Sequence, residues 1–176
     1  MQKNKESNKV FKMVLLSMTV AIGVVISPIL RVEGMCPTAH LVNIVVAVLM
    51  GPWYALLNAT LTAIIRMLFL SIPPLALTGS VFGAVLSGLL YRLTKGKIIG
   101  AVIGEIVGTG IIGALVSYPV MAFLMGRDGL TAFFYLPMFL GATIMGGVAA
   151  FFFLTALKKM GQLREFQQKL GSETYD

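Results

Sequence analysis

With 176 residues, 57% of them hydrophobic, a mean hydropathy of +0.90 and a net charge of +7, the chain falls outside soluble composition and reads as one integral membrane domain. A single cysteine and a single histidine exclude an intrachain disulfide and a zinc-type ligand set. The sequence has no G-x-x-x-x-G-K-[S/T] phosphate loop, no H-E-x-x-H and no G-x-S-x-G, so neither a cofactor, a metal nor catalysis by this chain is expected.

Five windows, residues 13–30, 34–65, 67–91, 106–126 and 129–157, contain no Asp, Glu, Lys or Arg. Each matches or exceeds the roughly 18 to 20 residues that cross a bilayer core, and some are long enough for more than one span. Pro and Gly punctuation divides them into six segments. A basic segment, residues 1–12, leads into the first, at 10–30. That run is longer than the ~7 to 15 residue core of a signal peptide and ends in Ser27-Pro28-Ile29 without a cleavage pattern, so it is expected to stay as a span. The second segment, 38–50, is short for a span and is expected to be shielded by its neighbours or to lie at a shallow depth. Segments at 53–71, 77–93, 98–125 and 135–158 complete an all-α, six-transmembrane-helix bundle over residues 10–158. Residues 159–176 are polar and are expected to form a frayed, solvated tail.

Six spans place eleven bases, in Lys3 to Lys12, Arg92 to Lys97 and Lys158 to Lys169, on one side, against Arg31 and Arg127 on the other. The positive-inside rule then puts both termini in the cytoplasm and the protein in the cell membrane. Small residues recur four apart: Ser17 and Ala21, Gly79 and Gly83, Ala84 and Gly88, Gly104 and Gly108, Ala142 and Gly146. Such spacing lets backbones approach, either within the bundle or against another membrane subunit. No aromatic-interleaved basic patch points to nucleic acid.

Polar groups inside a membrane mark pathways or binding sites. On a helical rise of 1.5 Å per residue, Arg66 lies roughly 20 Å above the inner end of its span and Asn43 about 8 Å below the outer end of the second. Tyr118 falls in the outer third of the fifth span. With Arg31, Glu33 and His40 from the adjoining loop, these groups converge on the outer half. Arg66 has the alternative of snorkelling to headgroups. Thr38 is placed to cap the second helix after Pro37, Cys36 reads as packing, and Tyr135 and Trp53 suit an interfacial belt or, for Tyr135, ligand stacking. Glu105 lies about 10 Å above the inner end of the fifth span, outside this cluster, where it is expected to pair with a base such as Lys97 or Arg92, to be held neutral by burial, or to bond Asn58 at similar depth. An intramembrane enzyme would require Glu105 to meet His40, and these depths separate them.

The order of a basic amphipathic start, the stretch PTAHLVN from Pro37 to Asn43, the turn LMGPWY from Leu49 to Tyr54, RMLFLSIPP from Arg66 to Pro74 and GEIVGTG from Gly104 to Gly110 resembles the substrate-binding S-components of energy-coupling factor vitamin transporters. Within them it is most similar to the ThiW type, assigned to the thiazole precursor of thiamin. The resemblance covers most of residues 10–158. It implies a bundle that binds a vitamin precursor near its outer face under the loop between spans one and two. Hydroxyethylthiazole is the implied ligand, with Glu33, His40, Asn43, Arg66, Tyr118 and Tyr135 as candidate binding residues. It also implies partnership with a transmembrane coupling subunit and two cytoplasmic ATPases. Docking in such proteins uses small residues on the first helix, a place held here by Ser17 and Ala21, with Ser departing from the usual Ala. A stand-alone carrier or channel, or a subunit for thiamin, its pyrimidine precursor or riboflavin, remains an alternative from these residues.

Overall fold

The computed structural model describes residues 2–29 and 36–175, and among these it contains helices and no strand. In chain order we label them α1 (Gln2–Ile29), α2 (Pro37–Met50), α3 (Pro52–Leu70), the one-turn α4 (Leu75–Thr78), α5 (Val81–Leu93), α6 (Ile98–Leu124), α7 (Leu136–Lys159) and α8 (Gln162–Lys169). Five stretches, Asn8–Ile29, Pro52–Leu70, Leu75–Leu93, Ile98–Leu124 and Leu136–Lys159, are long and apolar enough to cross a membrane, and Pro37–Met50 is a shorter apolar helix. All six predicted segments appear, and the apolar stretches lie within two residues of the expected bounds, while the helix α1 begins eight residues earlier, at Gln2, and α5 four residues later, at Val81.

The punctuation works as proline and glycine chemistry requires. Pro37 and Pro52 open α2 and α3 in the first turn, where a missing N–H costs nothing. Gly51 joins these helices at φ +87°, a conformation closed to residues with a Cβ. Because Pro37 itself starts α2, the cap position falls to Cys36, and Thr38 is already inside the helix with its hydroxyl buried and unpartnered. The expected Thr38 cap is therefore not formed.

The short α2 is the axis of the bundle. It touches α1, α3, α5, α6, α7 and α8, and nine of its residues, including every residue from Val46 to Met50, are buried. Shielding, one of the two expected fates of a short span, is the observed one. At 1.5 Å per residue its 14 residues reach about 21 Å, short of a hydrocarbon core of about 30 Å. Its first turn therefore starts well below the far ends of its longer neighbours, leaving a recess above it.

α5 and α6 are pressed backbone to backbone. A Cβ on Gly104 would lie 2.4 Å from the Leu86 carbonyl oxygen, and one on Gly108 would lie 2.6 Å from Gly83 Cα. Gly146 on α7 similarly admits the backbone of Pro37, and Gly88 that of Pro52. These small residues serve packing within the bundle, whereas Ser17 and Ala21 lie on the exposed side of α1. After Glu105, α6 widens into π-helical turns over Ile106–Gly113 and again over Val120–Leu124. The first coincides with the Gly108, Gly110 and Gly113 contacts, and the second follows Pro119, which lacks an N–H to bond back one turn.

The tail departs from expectation. After a turn at Gly161, φ +75°, α8 folds back across the end of the bundle that carries Lys12, Gly51 and Arg92, hereafter the basic end. Leu163 and Leu170 are buried, and Gln167 donates to the Val48 carbonyl at 2.9 Å and the Tyr91 hydroxyl at 3.1 Å. Val48 is in the last turn of α2, where carbonyls have no helical partner, so Gln167 satisfies a group that would otherwise be orphaned. Glu173 pairs with Arg92 at 3.4 Å, and Tyr175 packs edge-on against Tyr91. Burial, then the neighbouring Glu173 carboxylate, pushes the Tyr175 phenol up to about 12, so it stays a hydrogen-bond donor to Glu173 at neutral pH. Residues 159–175 of the expected frayed tail form a docked cap instead, because Leu163 and Leu170 share one helical face with Gln167.

Candidate ligand-binding site

The recess above α2 is a cavity of about 180 Å³ at the end opposite the basic one. Its walls come from four places: Cys36, Ala39 and His40 at the start of α2; Arg66 on α3; the segment from Ile72 to Ser80; and Met138, Phe139 and Ala142 on α7. The lining is apolar apart from a few convergent polar groups, the usual pattern of a small-molecule site.

At its floor His40 Nδ1 lies 2.8 Å from Glu105 Oε1. The same oxygen accepts from Asn43 Nδ2 at 3.2 Å and from Thr109 Oγ1, one helical turn along α6, at 3.2 Å. Asn43 also donates to the Ser80 carbonyl at 3.3 Å, tying α2 to α5. Glu105 is fully buried, and its Oε2 has no hydrogen-bond partner.

The meeting of His40 with Glu105 overturns the depth argument that separated them. Glu105 is seven residues past Ile98, about 10 Å along α6; His40 is ten residues before Met50, about 15 Å along α2 from the same end. A gap of about 5 Å is spanned by the two side chains. α2 is held at the basic end and not at the opposite surface, so its 14 residues bring its start only to mid-depth. The anticipated partners of Glu105 are engaged or distant: Asn58 accepts from Thr19 Oγ1 at 2.9 Å, and Arg92 is paired with Glu173 at the basic end.

Arg66 is 6% exposed, so it faces the cavity and does not snorkel. Its Nη2 donates to Cys36 Sγ at 3.3 Å, its Nε is buried without a partner, and among the described residues no carboxylate pairs with it. A guanidinium in this setting has hydrogen-bonding capacity to spare.

Of the predicted residues, His40, Asn43 and Arg66 come together here, with Asn43 behind His40 on a narrow crevice that Arg66 also borders. Tyr118 is half-buried on α6 and does not line the cavity. Tyr135 is 2% exposed, which removes it from an interfacial belt; it stands against Phe139 with ring centroids 6.1 Å apart. Phe139 is the ring on the wall, and Tyr135 supports it from behind. Glu33 and Arg31 lie outside the described residues. The sequence reading treats Cys36 as packing, sets Glu105 outside the cluster and does not single out Phe139; for Glu105 a usable signal is Thr109 at i+4, a second polar group on the same face of an otherwise apolar helix.

Compared with known proteins, residues 13–160 match the family described as "Thiamine-precursor transporter protein (ThiW)". No curated protein and no solved structure matches the chain.

Proposed function

The chain belongs to the thiamine-precursor transporter (ThiW) family, and from that premise we propose that the cavity above α2 binds hydroxyethylthiazole for import. The size of the cavity carries this reading. A volume of about 180 Å³ is below the roughly 300 to 1,000 Å³ of drug-sized sites, which suits a single substituted ring better than two-ring thiamin or three-ring riboflavin. Phe139 offers an aromatic wall, and Arg66 and His40 offer hydrogen bonds to the ring nitrogen and the hydroxyl. Asn43 acts through its hold on Glu105 and Tyr135 through Phe139. The His40–Glu105 pair then serves recognition rather than catalysis.

Titration of the purified protein with hydroxyethylthiazole checks this. One saturable site is expected, and Arg66→Met should weaken it by about 10- to 100-fold, the loss of a hydrogen bond from a charged donor. Absence of binding across the solubility range of the thiazole would remove this ligand.

Uptake needs an energy source, and the chain has no phosphate loop. In the energy-coupling factor arrangement a membrane coupling subunit and two cytoplasmic ATPases provide it, with both termini of this chain cytoplasmic as the clustered bases imply. Ser17 and Ala21 sit on an outward strip of α1 with exposed Val14, Met18, Ile22 and Val25, a surface open to lipid or to a partner helix. Ala21→Trp should abolish co-purification of a coupling subunit while leaving thiazole binding unchanged. Equal recovery from Ala21→Trp and wild type would move docking elsewhere, and uptake into liposomes by this chain alone would establish the stand-alone carrier instead.

A further inference from the structure

We propose that Glu105 is a positioning residue that keeps the proton of His40 on Nδ1, so that Nε2 meets the ligand as an acceptor and the pocket selects a heteroaromatic ring carrying a hydrogen-bond donor. The proposal rests on the thiazole reading for the identity of the ring, but not for the state of the imidazole.

Two donors, Asn43 Nδ2 and Thr109 Oγ1, converge on one oxygen of Glu105, and His40 Nδ1 lies 2.8 Å from the same atom. An ionised carboxylate is acceptor-only, and donors converging on one of its oxygens are the partners it takes when buried. Its orientation is locked by the backbone of α5: a Cβ on Gly83 would lie 2.6 Å from Oε2 and 2.1 Å from Thr109 Oγ1. With the acceptor fixed, His40 Nδ1 must donate, which leaves Nε2 as the ring nitrogen free for a molecule in the cavity the ring lines.

Charge balance decides what Nε2 carries. Among the described residues lining the cavity or its floor, Glu105 and Arg66 supply one negative and one positive charge. A neutral imidazole leaves these balanced in a low-dielectric interior, whereas an imidazolium adds an uncompensated positive charge. Nε2 is then a lone pair. The wall thus presents one donor, the Arg66 guanidinium, and one acceptor, His40 Nε2. Their complement is a ring whose nitrogen accepts and whose side chain donates, as a heteroaromatic alcohol does; a ring that only accepts leaves Nε2 buried and unpaired.

The chain has one histidine, so nitrogen NMR of ¹⁵N-histidine-labelled full-length protein in nanodiscs reports a single imidazole. The free protein should show Nδ1 protonated and Nε2 not, and hydroxyethylthiazole should shift the Nε2 resonance. Its methyl ether and its deoxy (ethyl) analogue, which lack the donor, should bind about 10- to 100-fold more weakly, the deoxy compound controlling for size. Glu105→Gln retains an acceptor oxygen and should preserve both results. In Glu105→Leu the tautomers should mix and the alcohol preference should shrink toward parity. If that variant does not fold, the wild-type tautomer and the alcohol-to-ether ratio decide. A protonated Nε2 in the free protein, or an ether that binds as tightly as the alcohol, overturns the proposal. An Nδ1-protonated ring in a protein that binds none of the three thiazoles upholds the role of Glu105 and removes the thiazole reading instead.

Discussion

Valine at Gly108 will prevent the bundle from closing. The Cβ alone would stand 2.6 Å from Gly83 Cα and 2.6 Å from the Phe82 carbonyl oxygen, and both are backbone atoms of α5 that no rotamer change can move. Gly104, one turn earlier, faces the same helix, and a Cβ there would stand 2.4 Å from the Leu86 carbonyl oxygen, so α6 cannot tilt away from one contact without straining the other. Overpacking against flexible side chains costs about 1 to 3 kcal/mol; forcing two backbones apart along a whole interface belongs with the rarer losses above about 4 kcal/mol. In lipid the loss is not recovered elsewhere, because helix association there depends on close packing and weak hydrogen bonds. The expected result is little folded protein by size-exclusion chromatography and a melting transition well below wild type. Ala149→Val, on an exposed face of α7, is the control and should leave both unchanged. A Gly108→Val protein that melts with the wild type would show that α5 and α6 are not held by this approach. The same contact positions Glu105, so any folded remainder should also have lost thiazole binding.

Much of this architecture could be read from residues alone, for a specific reason. Helix lengths in a membrane are set by bilayer thickness, and Gly51-Pro52, Pro73-Pro74 and Gly126 to Gly129 break the apolar runs where the chain must turn. Relative depth was not legible. It depends on which end of a short helix is anchored, and α2 is anchored at the basic end, where Gln167 and Leu170 from the far end of the sequence close over its last turn. The same long-range contact explains the misread tail. Leu163, Gln167 and Leu170 recur at helical spacing, but polar neighbours dilute the stripe, and nothing local indicates which surface it covers. Arg66 and His40 stand out in the sequence as polar groups at unexpected depth, and depth is enough to identify candidates. It was not enough to choose between Tyr118, Tyr135 and Phe139 as the aromatic wall, since that depends on how α7 is rotated about its own axis.

Alkylation of Cys36 will block ligand binding, and ligand will protect Cys36 from alkylation. The chain has no other cysteine, so a maleimide adds at one known atom and intact mass reports the extent of reaction. Cys36 is partly exposed and lines the cavity, and the Arg66 guanidinium donates to its sulfur at 3.3 Å. The adduct would occupy much of a cavity of about 180 Å³ and would take Arg66 out of reach of the ring nitrogen. We expect affinity for hydroxyethylthiazole to fall by about 30-fold or more on full modification, the combined loss of one charged hydrogen bond and of space. Saturating thiazole should slow labelling by at least about tenfold, because reagent and ligand compete for one volume. Cys36→Ser should bind thiazole within a few-fold of wild type and ignore the reagent, which separates blockage from damage. An unchanged labelling rate under saturating thiazole would place the ligand elsewhere in the bundle. Protection in Glu105→Leu as strong as in wild type would show that the ligand enters this cavity without a fixed His40 tautomer, which would leave Arg66 and the wall around Phe139 as the groups that decide its affinity.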